Sequence, residues 1–298
     1  MSPNDTVANL VTRNADGSLG TRSAVSLLAP LTIDSTRNLA SDLELASLIC
    51  QCSNIPPFLI ESLLASGYTE ADLLAAGVPY ENIIGFTCGD VITDIRDGQT
   101  YTTVLIGGQC WMAENLNIGK MIPGTSTQTN NGTIEKYCYN DVSNNCDTYG
   151  GLYQWDEMMQ YTTVESSQGI CPTGWHLPSD LEIKTLEMTL GMSQTEADMT
   201  GSRGTDEGSQ LAGNAALWTP SGLTSNAAFG SSGFDALPAG QRLLNGSFNS
   251  QAFTEYFWTS TDNGGNPWYR YIFYSVPTID RRASNSGLIG WSVRCVKD

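Results

Sequence analysis

Histidine is almost absent from this chain, and the cysteines are not spaced as metal ligands usually are. The 298 residues include one histidine, His176, and no Cys-x2-Cys pair. A Ser/His/Asp or Cys/His catalytic arrangement would rest on that one imidazole, and a mixed zinc site could not be built from it. Adjacent acids such as Asp156 and Glu157, or Asp206 and Glu207, are typical of solvated loops rather than of glycosidase pairs. We therefore expect a protein that is not an enzyme, with His176 in its core.

No cofactor is expected either. Loops that contain Asn140, Asp141 and Asp147 could hold Ca²⁺ through oxygen ligands, but their spacing is not that of an EF-hand. Calcium binding has no specific support, and no metal site is predicted.

Basic residues are scarce. Lysine and arginine number 14 against 31 acidic residues, which gives a formal net charge of -17. Such a charge repels a phosphate backbone, because binding to nucleic acid depends on neutralisation by Lys and Arg. We expect no nucleic-acid partner. The chain also lacks any run of 18 apolar residues, so no membrane span is predicted.

Cysteines and aromatic residues, in contrast, are plentiful. Eight cysteines suit an oxidising compartment, and 7 Trp, 12 Tyr and 8 Phe stand among many Gly, Ser, Thr and Asn residues. We expect an extracellular protein, on a cell surface, secreted or in a phage-like particle. The chain begins without the basic start and apolar core of a signal peptide, so we expect a start after the signal or export by another route, such as lysis.

The amino-terminal part divides into two segments of different pattern. Residues 1–40 have short β-type runs broken by a turn at residues 14–17 and by Pro30, and they are too short to bury a core. We interpret them as an extended arm for attachment or self-association, although an ordinary extended leader has the same pattern. Residues 41–87 have helical spacing and a ten-residue repeat within 65–84, which predict a small helical spacer.

From residue 88 to residue 298 the pattern predicts one larger domain of strands, turns and a helix. Residues 91–106 alternate around an Asp-Gly turn and predict a β-hairpin. Ser179 can cap a helix, with Glu182 as its reciprocal partner. Three aromatic-rich runs near the carboxyl end predict strands that pair as a meander, at residues 257–260, 268–274 and 289–295.

Five stretches of this domain carry a resemblance to a known family. In chain order they are 95–101 (IRDGQTY), 106–116 (IGGQCWMAENL), 149–158 (YGGLYQWDEM), 169–179 (GICPTGWHLPS) and 292–296 (SVRCV). Together they resemble the Fibrobacter succinogenes major paralogous domain. The resemblance implies an α+β fold of the C-type-lectin-like and formylglycine-generating-enzyme-like kind. It also implies a surface or secreted binding domain of Bacteroidetes-type bacteria or their phages.

Two activities of the related folds do not carry over to this chain. The sugar-binding motifs of true C-type lectins are missing, which argues against calcium-dependent sugar binding. The reactive cysteine pair of formylglycine-generating enzymes has no counterpart, so Cys295 is predicted to be structural.

Cysteine spacing narrows the many pairings that eight cysteines allow. Two predicted pairs close locally, one around a short loop and one across the first hairpin, and the resemblance implies a long third link between the start of the helix and the last strand. The three pairs are Cys138 with Cys146, Cys88 with Cys110, and Cys171 with Cys295. Cys50 and Cys52 are left over, and could be free, strained together or joined to another chain.

The carboxyl-terminal strands hold the candidate binding residues. Alternation along residues 268–274 predicts that Tyr269, Tyr271 and Phe273 face the core and that the residues between them face outward. Exposed Trp, Tyr and Arg are typical of recognition hot spots. The predicted ligand-binding residues are Asn263, Asn266, Trp268, Arg270, Tyr274, Arg281, Arg282 and Asn285. The alternative is that these aromatic residues only cover a small β core.

These patterns lead to a functional expectation with one alternative. We expect a non-catalytic extracellular binding or adhesion module that recognises a protein or glycan on a cell surface through its carboxyl-terminal aromatic and arginine face. In related lectin-like proteins diversified by retroelements, this strand region is the variable ligand face. The alternative is a structural subunit of a phage-like tail fibre, particle or surface filament that assembles through the amino-terminal arm.

Overall fold

The chain forms two compact units, residues 1–86 and residues 87–298. The computed structural model describes residues 86–297, Leu73, and the backbone of β1 (Asn9–Arg13) and β2 (Leu19–Ser23). In the first unit, β1 and β2 pair as an antiparallel hairpin.

Much of what the sequence predicts for the first unit lies outside the described residues. This holds for the ten-residue repeat, apart from the buried Leu73, and for Cys50 and Cys52. It also holds for the division into an arm and a spacer.

The second unit mixes short helices with a larger number of strands. Its described strands are β3 (Val91–Thr93), β4 (Thr100–Ile106), β5 (Gln109–Met112), β6 (Lys120–Met121), β7 (Glu135–Lys136), β8 (Trp175–His176), β9 (Gly201–Arg203), β10 (Gln241–Arg242), β11 (Phe248–Asn249), β12 (Thr254–Asp262), β13 (Pro267–Phe273), β14 (Ile279–Ala283) and β15 (Val296–Lys297). Its described α-helices are α1 (Ser143–Tyr149), α2 (Trp155–Met158), α3 (Asp180–Thr189), α4 (Gln194–Asp198) and α5 (Glu207–Leu211). Within the described part of the chain, no helix has the length and apolar character needed to cross a membrane.

One sheet brings the two ends of this unit together. Its strand order is β3-β4-β5-β15-β8, with antiparallel neighbours. Val296 pairs with Trp111 of β5 on one side and with His176 of β8 on the other. The predicted hairpin is confirmed as β3 and β4. Its turn needs Gly98, which has a φ of +78° that a glycine adopts without strain.

A second sheet has the order β12-β13-β14-β9 and is antiparallel throughout. The predicted pairing of the first two aromatic runs is confirmed as β12 with β13. The prediction for the third run is wrong, because β14 follows β13 in the sheet. Residues 289–295 instead form extended chain that bridges to other segments, for example from Ser292 to Phe257. Aromatic content alone does not distinguish a sheet strand from an extended segment packed on a sheet.

Helix α3 covers one face of this second sheet. Ser179 accepts a hydrogen bond from the Glu182 amide while the Glu182 carboxylate accepts from the Ser179 amide, so the predicted capping box is confirmed. Burial acts to raise the pKa of Glu182, but hydrogen bonds from His176 and Ser179 outweigh it and lower the pKa to about 2. His176 itself is largely buried, with Nε2 2.7 Å from the Glu182 carboxylate.

The main core lies between α3 and the inner face of the second sheet. Ile183 and Leu186 of the helix pack in one cluster with Phe257 of β12, Ile272 of β13 and Ile279 of β14. Burial of these side chains contributes roughly 1.5 to 3 kcal/mol each before entropy is considered. The core therefore fixes which face of β13 points inward.

Three disulfides link the described part of the second unit. They join Cys88 to Cys110, Cys138 to Cys146 and Cys171 to Cys295, as the sequence and the resemblance predict. The last of these connects the segment before α3 to the segment before β15.

Candidate functional site

The face of β13 that the sequence analysis predicts to be exposed is in fact buried. Arg270 and Ile272 are both 0% exposed, whereas Tyr269 and Tyr271 are half-buried and Phe273 is exposed. The inner and outer faces of β13 are therefore the reverse of the prediction. The physical reason is that α3 supplies carboxylates that accept a buried arginine, which leaves the tyrosines on the outer side of the strand.

An ion network between α3 and the sheet holds Arg270 in place. Its Nη1 donates to Oδ1 of Asp180 at 2.7 Å and its Nε donates to Oε1 of Glu187 at 2.8 Å. Arg281 donates to both Asp180 oxygens, and Arg203 donates to both Glu187 oxygens. Burial acts to raise the pKa of Asp180, but the two arginines that contact it lower that pKa overall. These arginines are structural.

The structure therefore does not bring the eight predicted ligand residues together on one surface. Arg270 and Arg281 are buried in the ion network, and Trp268 is half-buried with the Arg281 guanidinium 3.8 Å from its ring centroid. The predicted outward position of Arg270 is incorrect, and Trp268 lies on the same side of β13 as Arg270. Arg282 points to the opposite side of the sheet, where its side chain is 51% exposed.

The other four predicted ligand residues lie near the ends of these strands. Tyr274 is half-buried and packs edge-on against Phe253 and Phe273. The three asparagines occupy loops: Asn263 and Asn285 are exposed, and Asn266 is half-buried. Their roles in ligand binding stay predictions.

Arg294, the arginine of the last motif, is also structural. It is 1% exposed and donates to Asn115 Oδ1 at 2.7 Å and to the carbonyls of Met112, Phe234 and Asp235. It thus holds three chain segments together.

Close by, Glu255 is fully buried. Burial raises its pKa to about 8, against the lowering influence of the Ala239 amide, Arg294, Asn115 and Ser292. Neither this carboxyl nor Arg294 lies on the exposed side of the second sheet.

Two cross-strand rows form the outward face of the second sheet. In one row Tyr256, Tyr271 and Asp280 lie opposite one another, and in the neighbouring row Tyr269 lies between Trp258 and Arg282. Phe273 continues this side of β13 and is 38% exposed. We call the surface formed by Tyr256, Tyr269, Tyr271, Phe273 and Arg282 the tyrosine face.

Trp291 supports the tyrosine face from the side. Its ring stacks on Tyr256 with centroids 5.2 Å apart and 6° between the planes, and it lies 4.3 Å from the Tyr269 ring. Its Nε1 donates to Gln241 Oε1 at 3.0 Å, and Gln241 Nε2 donates to the Tyr256 hydroxyl at 3.4 Å. The rings are therefore held in fixed positions by packing and hydrogen bonds, which lowers the entropy cost of presenting them to a ligand.

The tyrosine face is close to electrically neutral. Arg282 donates through Nε and Nη2 to Oδ1 of Asp280, and its guanidinium lies 5.4 Å from the Tyr271 ring centroid. Burial, together with Asp280, raises the pKa of Tyr271 to about 12. Burial also raises the pKa values of Tyr256 and Tyr269. At neutral pH the face therefore presents intact phenols and one ion pair.

The four aromatic members of this surface, Tyr256, Tyr269, Tyr271 and Phe273, were not predicted as binding residues, and neither was Trp291, which supports them. The alternating pattern was visible in the sequence, but it does not say which side is buried. Among the residues that the structure describes, no three His, Cys, Asp or Glu side chains gather as a group that could hold a metal ion.

Family comparison agrees with the motifs that the sequence contains. The family model described as the Fibrobacter succinogenes major domain matches residues 104–297. Because the match covers more than half of the chain, the chain belongs to this family. No curated protein and no solved structure matches the chain.

Proposed function

We propose that this protein is a non-catalytic extracellular binding module of C-type-lectin-like fold that recognises an uncharged glycan through the tyrosine face. The observation that carries the proposal is the set of half-exposed tyrosine rings on one sheet face, held in position by the largely buried Trp291. Rigid aromatic side chains with a polar tip provide large contact areas at low entropy cost.

The chemistry of the face suits a sugar. The exposed parts of aromatic rings can cover the apolar faces of pyranose rings, while the Tyr271 hydroxyl and the exposed Arg282 guanidinium offer hydrogen bonds to sugar hydroxyls. An acidic ligand would meet a protein of net charge -17, and a basic one would find a carboxylate already paired with arginine. An uncharged glycan avoids both costs.

The fold assignment has its own support. The strand that ends the domain lies in the same sheet as its first hairpin, and a disulfide links the segment before α3 to the segment before the last strand. A long disulfide in this position is what the resemblance implies for a C-type-lectin-like domain. Three disulfides support the extracellular location, because such bonds persist in oxidising compartments.

A double variant tests the proposal. Tyr271→Ala with Arg282→Ala removes a ring and a cation from the exposed side while leaving the ring pairs of Trp291 with Tyr256 and Tyr269 intact. We expect wild-type protein to bind at least one neutral polysaccharide on an array of immobilised polysaccharides. The double variant should bind it at least about 30-fold more weakly, the loss typical of a hot spot.

Leu181→Ala is the matched control, because Leu181 is 62% exposed on α3, the helix that covers the opposite side of the sheet. It should leave binding unchanged. Thermal unfolding of all three proteins shows whether any loss reflects misfolding. Unchanged binding by a folded double variant would reject the tyrosine face as the site, and a wild-type protein that binds only proteins would reject the glycan.

A further inference from the structure

Lys136, at the end of β7, is a lysine in an unusual environment. It is 9% exposed, and its Nζ donates to both the backbone oxygen and the side-chain Oδ1 of Asn117, at 2.5 and 2.7 Å. Asn117 is itself 6% exposed. A buried lysine is usually paired with a carboxylate, but here both hydrogen bonds go to one asparagine.

The environment makes the uncharged amine easier to form than it is for an exposed lysine. Burial lowers the pKa of Lys136, and the more distant charges of Asp97 and Asp147 act in the opposite direction without cancelling it. An ammonium group has three protons to place, whereas a neutral amine has two, which matches the two acceptors that Asn117 offers. The neutral amine also has a lone pair, and a desolvated lysine is a nucleophile.

We propose that Lys136 and Asn117 form an intramolecular isopeptide bond. Nζ of Lys136 bonds to Cγ of Asn117, the Cγ–Nδ2 bond breaks, and Nδ2 takes up a proton from the attacking amine and leaves as ammonia. No oxidant, reductant or added group is needed. Because a C=O bond is about 1.2 Å long, Cγ of Asn117 lies within about 4 Å of Nζ, close to the separation of a near-attack geometry.

The backbone around the pair holds the two side chains together. Strands β6 and β7 are parallel neighbours, and the Lys120 amide donates to the Ile134 carbonyl while the Ile122 amide donates to the Lys136 carbonyl. Gly119 permits this close approach, since a Cβ at that position would lie 2.5 Å from the Ile134 oxygen. The backbone N–H of Asn117 donates a hydrogen bond to the Tyr101 hydroxyl at 3.0 Å. A fixed geometry of this kind makes a slow intramolecular reaction effective.

Intact-mass measurement of the reduced full-length protein tests the bond directly. Loss of ammonia lowers the mass by about 17 Da relative to the sequence, because the linkage is a covalent change that the sequence mass does not include. Proteolysis of the reduced protein should then release one branched peptide that contains both Asn117 and Lys136.

Three variants complete the experiment. Lys136→Arg and Asn117→Ala should each have the full sequence mass, whereas Lys120→Arg, which changes an exposed lysine on the neighbouring strand, should keep the mass deficit. A wild-type protein at its full sequence mass would overturn the proposal whether or not the variants fold. A deficit that persists in Lys136→Arg, or a branched peptide joining other residues, would also overturn it.

Discussion

Replacing Cys171 and Cys295 together with alanine is expected to lower the free energy of unfolding by about 4 to 5 kcal/mol, because cross-links that close long loops restrict the unfolded chain most. The two cysteines are 124 residues apart in sequence and both are fully buried. Alanine at both positions leaves small cavities in addition to the lost constraint. Chemical denaturation of oxidised wild-type and variant proteins measures the difference.

The pair Cys138 and Cys146 provides the control for this prediction. The two residues are 8 apart in sequence, so the same model predicts a loss of only about 2 to 3 kcal/mol when both are replaced by alanine. If the short-loop variant lost as much stability as the long-loop variant, the Cys171–Cys295 disulfide would not be the more strongly stabilising cross-link of the unit.

Glu187→Ala is expected to cost about 3 to 5 kcal/mol, because removing one partner of a buried ion pair leaves the other charge without compensation. The Glu187 side chain is 0% exposed and accepts hydrogen bonds from both Arg203 and Arg270. After the substitution, Arg203 would lose its carboxylate partner, and Arg270 would keep only Asp180, which it shares with Arg281. Equilibrium unfolding measured at neutral pH gives the loss.

An exposed acid supplies the comparison. Asp156→Ala removes an exposed carboxylate from the first turn of α2, where its interaction with the helix dipole is worth less than about 1 kcal/mol. Equal losses for the Glu187 and Asp156 variants would show that the ion network does not hold α3 to the sheet. Such a result would also undermine the assignment of Arg270 and Arg281 as structural residues.

Local features of the fold could be predicted from the sequence because their causes are local. The hairpin of β3 and β4 depends on an Asp-Gly turn, and the start of α3 depends on the reciprocal hydrogen bonds of Ser179 and Glu182. The disulfides followed from spacing and from the motifs shared with the family. Each of these signals involves residues that are close in the chain or recur in a family pattern.

The orientation of β13 could not be predicted in the same way, because it depends on partners about 80 to 100 residues away. The sequence contains one signal of this orientation. Asp180 and Glu187 are seven residues apart in α3 and therefore lie on the same helix face, which is otherwise apolar at Ile183 and Leu186. Two acids on a buried helix face require basic partners, and the nearby strands contain them.

The tyrosine face depends on the same long-range contacts. Once Arg270 is placed inside, Tyr269 and Tyr271 must point outward, because side chains alternate along a strand. The position of Trp291 depends on residues 289–295 crossing beside the sheet rather than joining it, and no local pattern distinguishes these two arrangements. The tyrosine face is therefore a result of tertiary structure, although four of its five residues, Tyr269, Tyr271, Phe273 and Arg282, lie in the stretch of chain that holds the predicted ligand residues.

Hydroxyl-radical footprinting with a bound neutral polysaccharide is the most direct test of the tyrosine face as the recognition surface. The proposal predicts that the ligand protects Tyr271 and Phe273 from oxidation. Two exposed side chains on the helical side, Leu181 and Met199, should react at the same rate with and without the ligand. Protection of Leu181 and Met199 with unchanged oxidation of Tyr271 and Phe273 would contradict the proposal and place recognition on the opposite side of the domain.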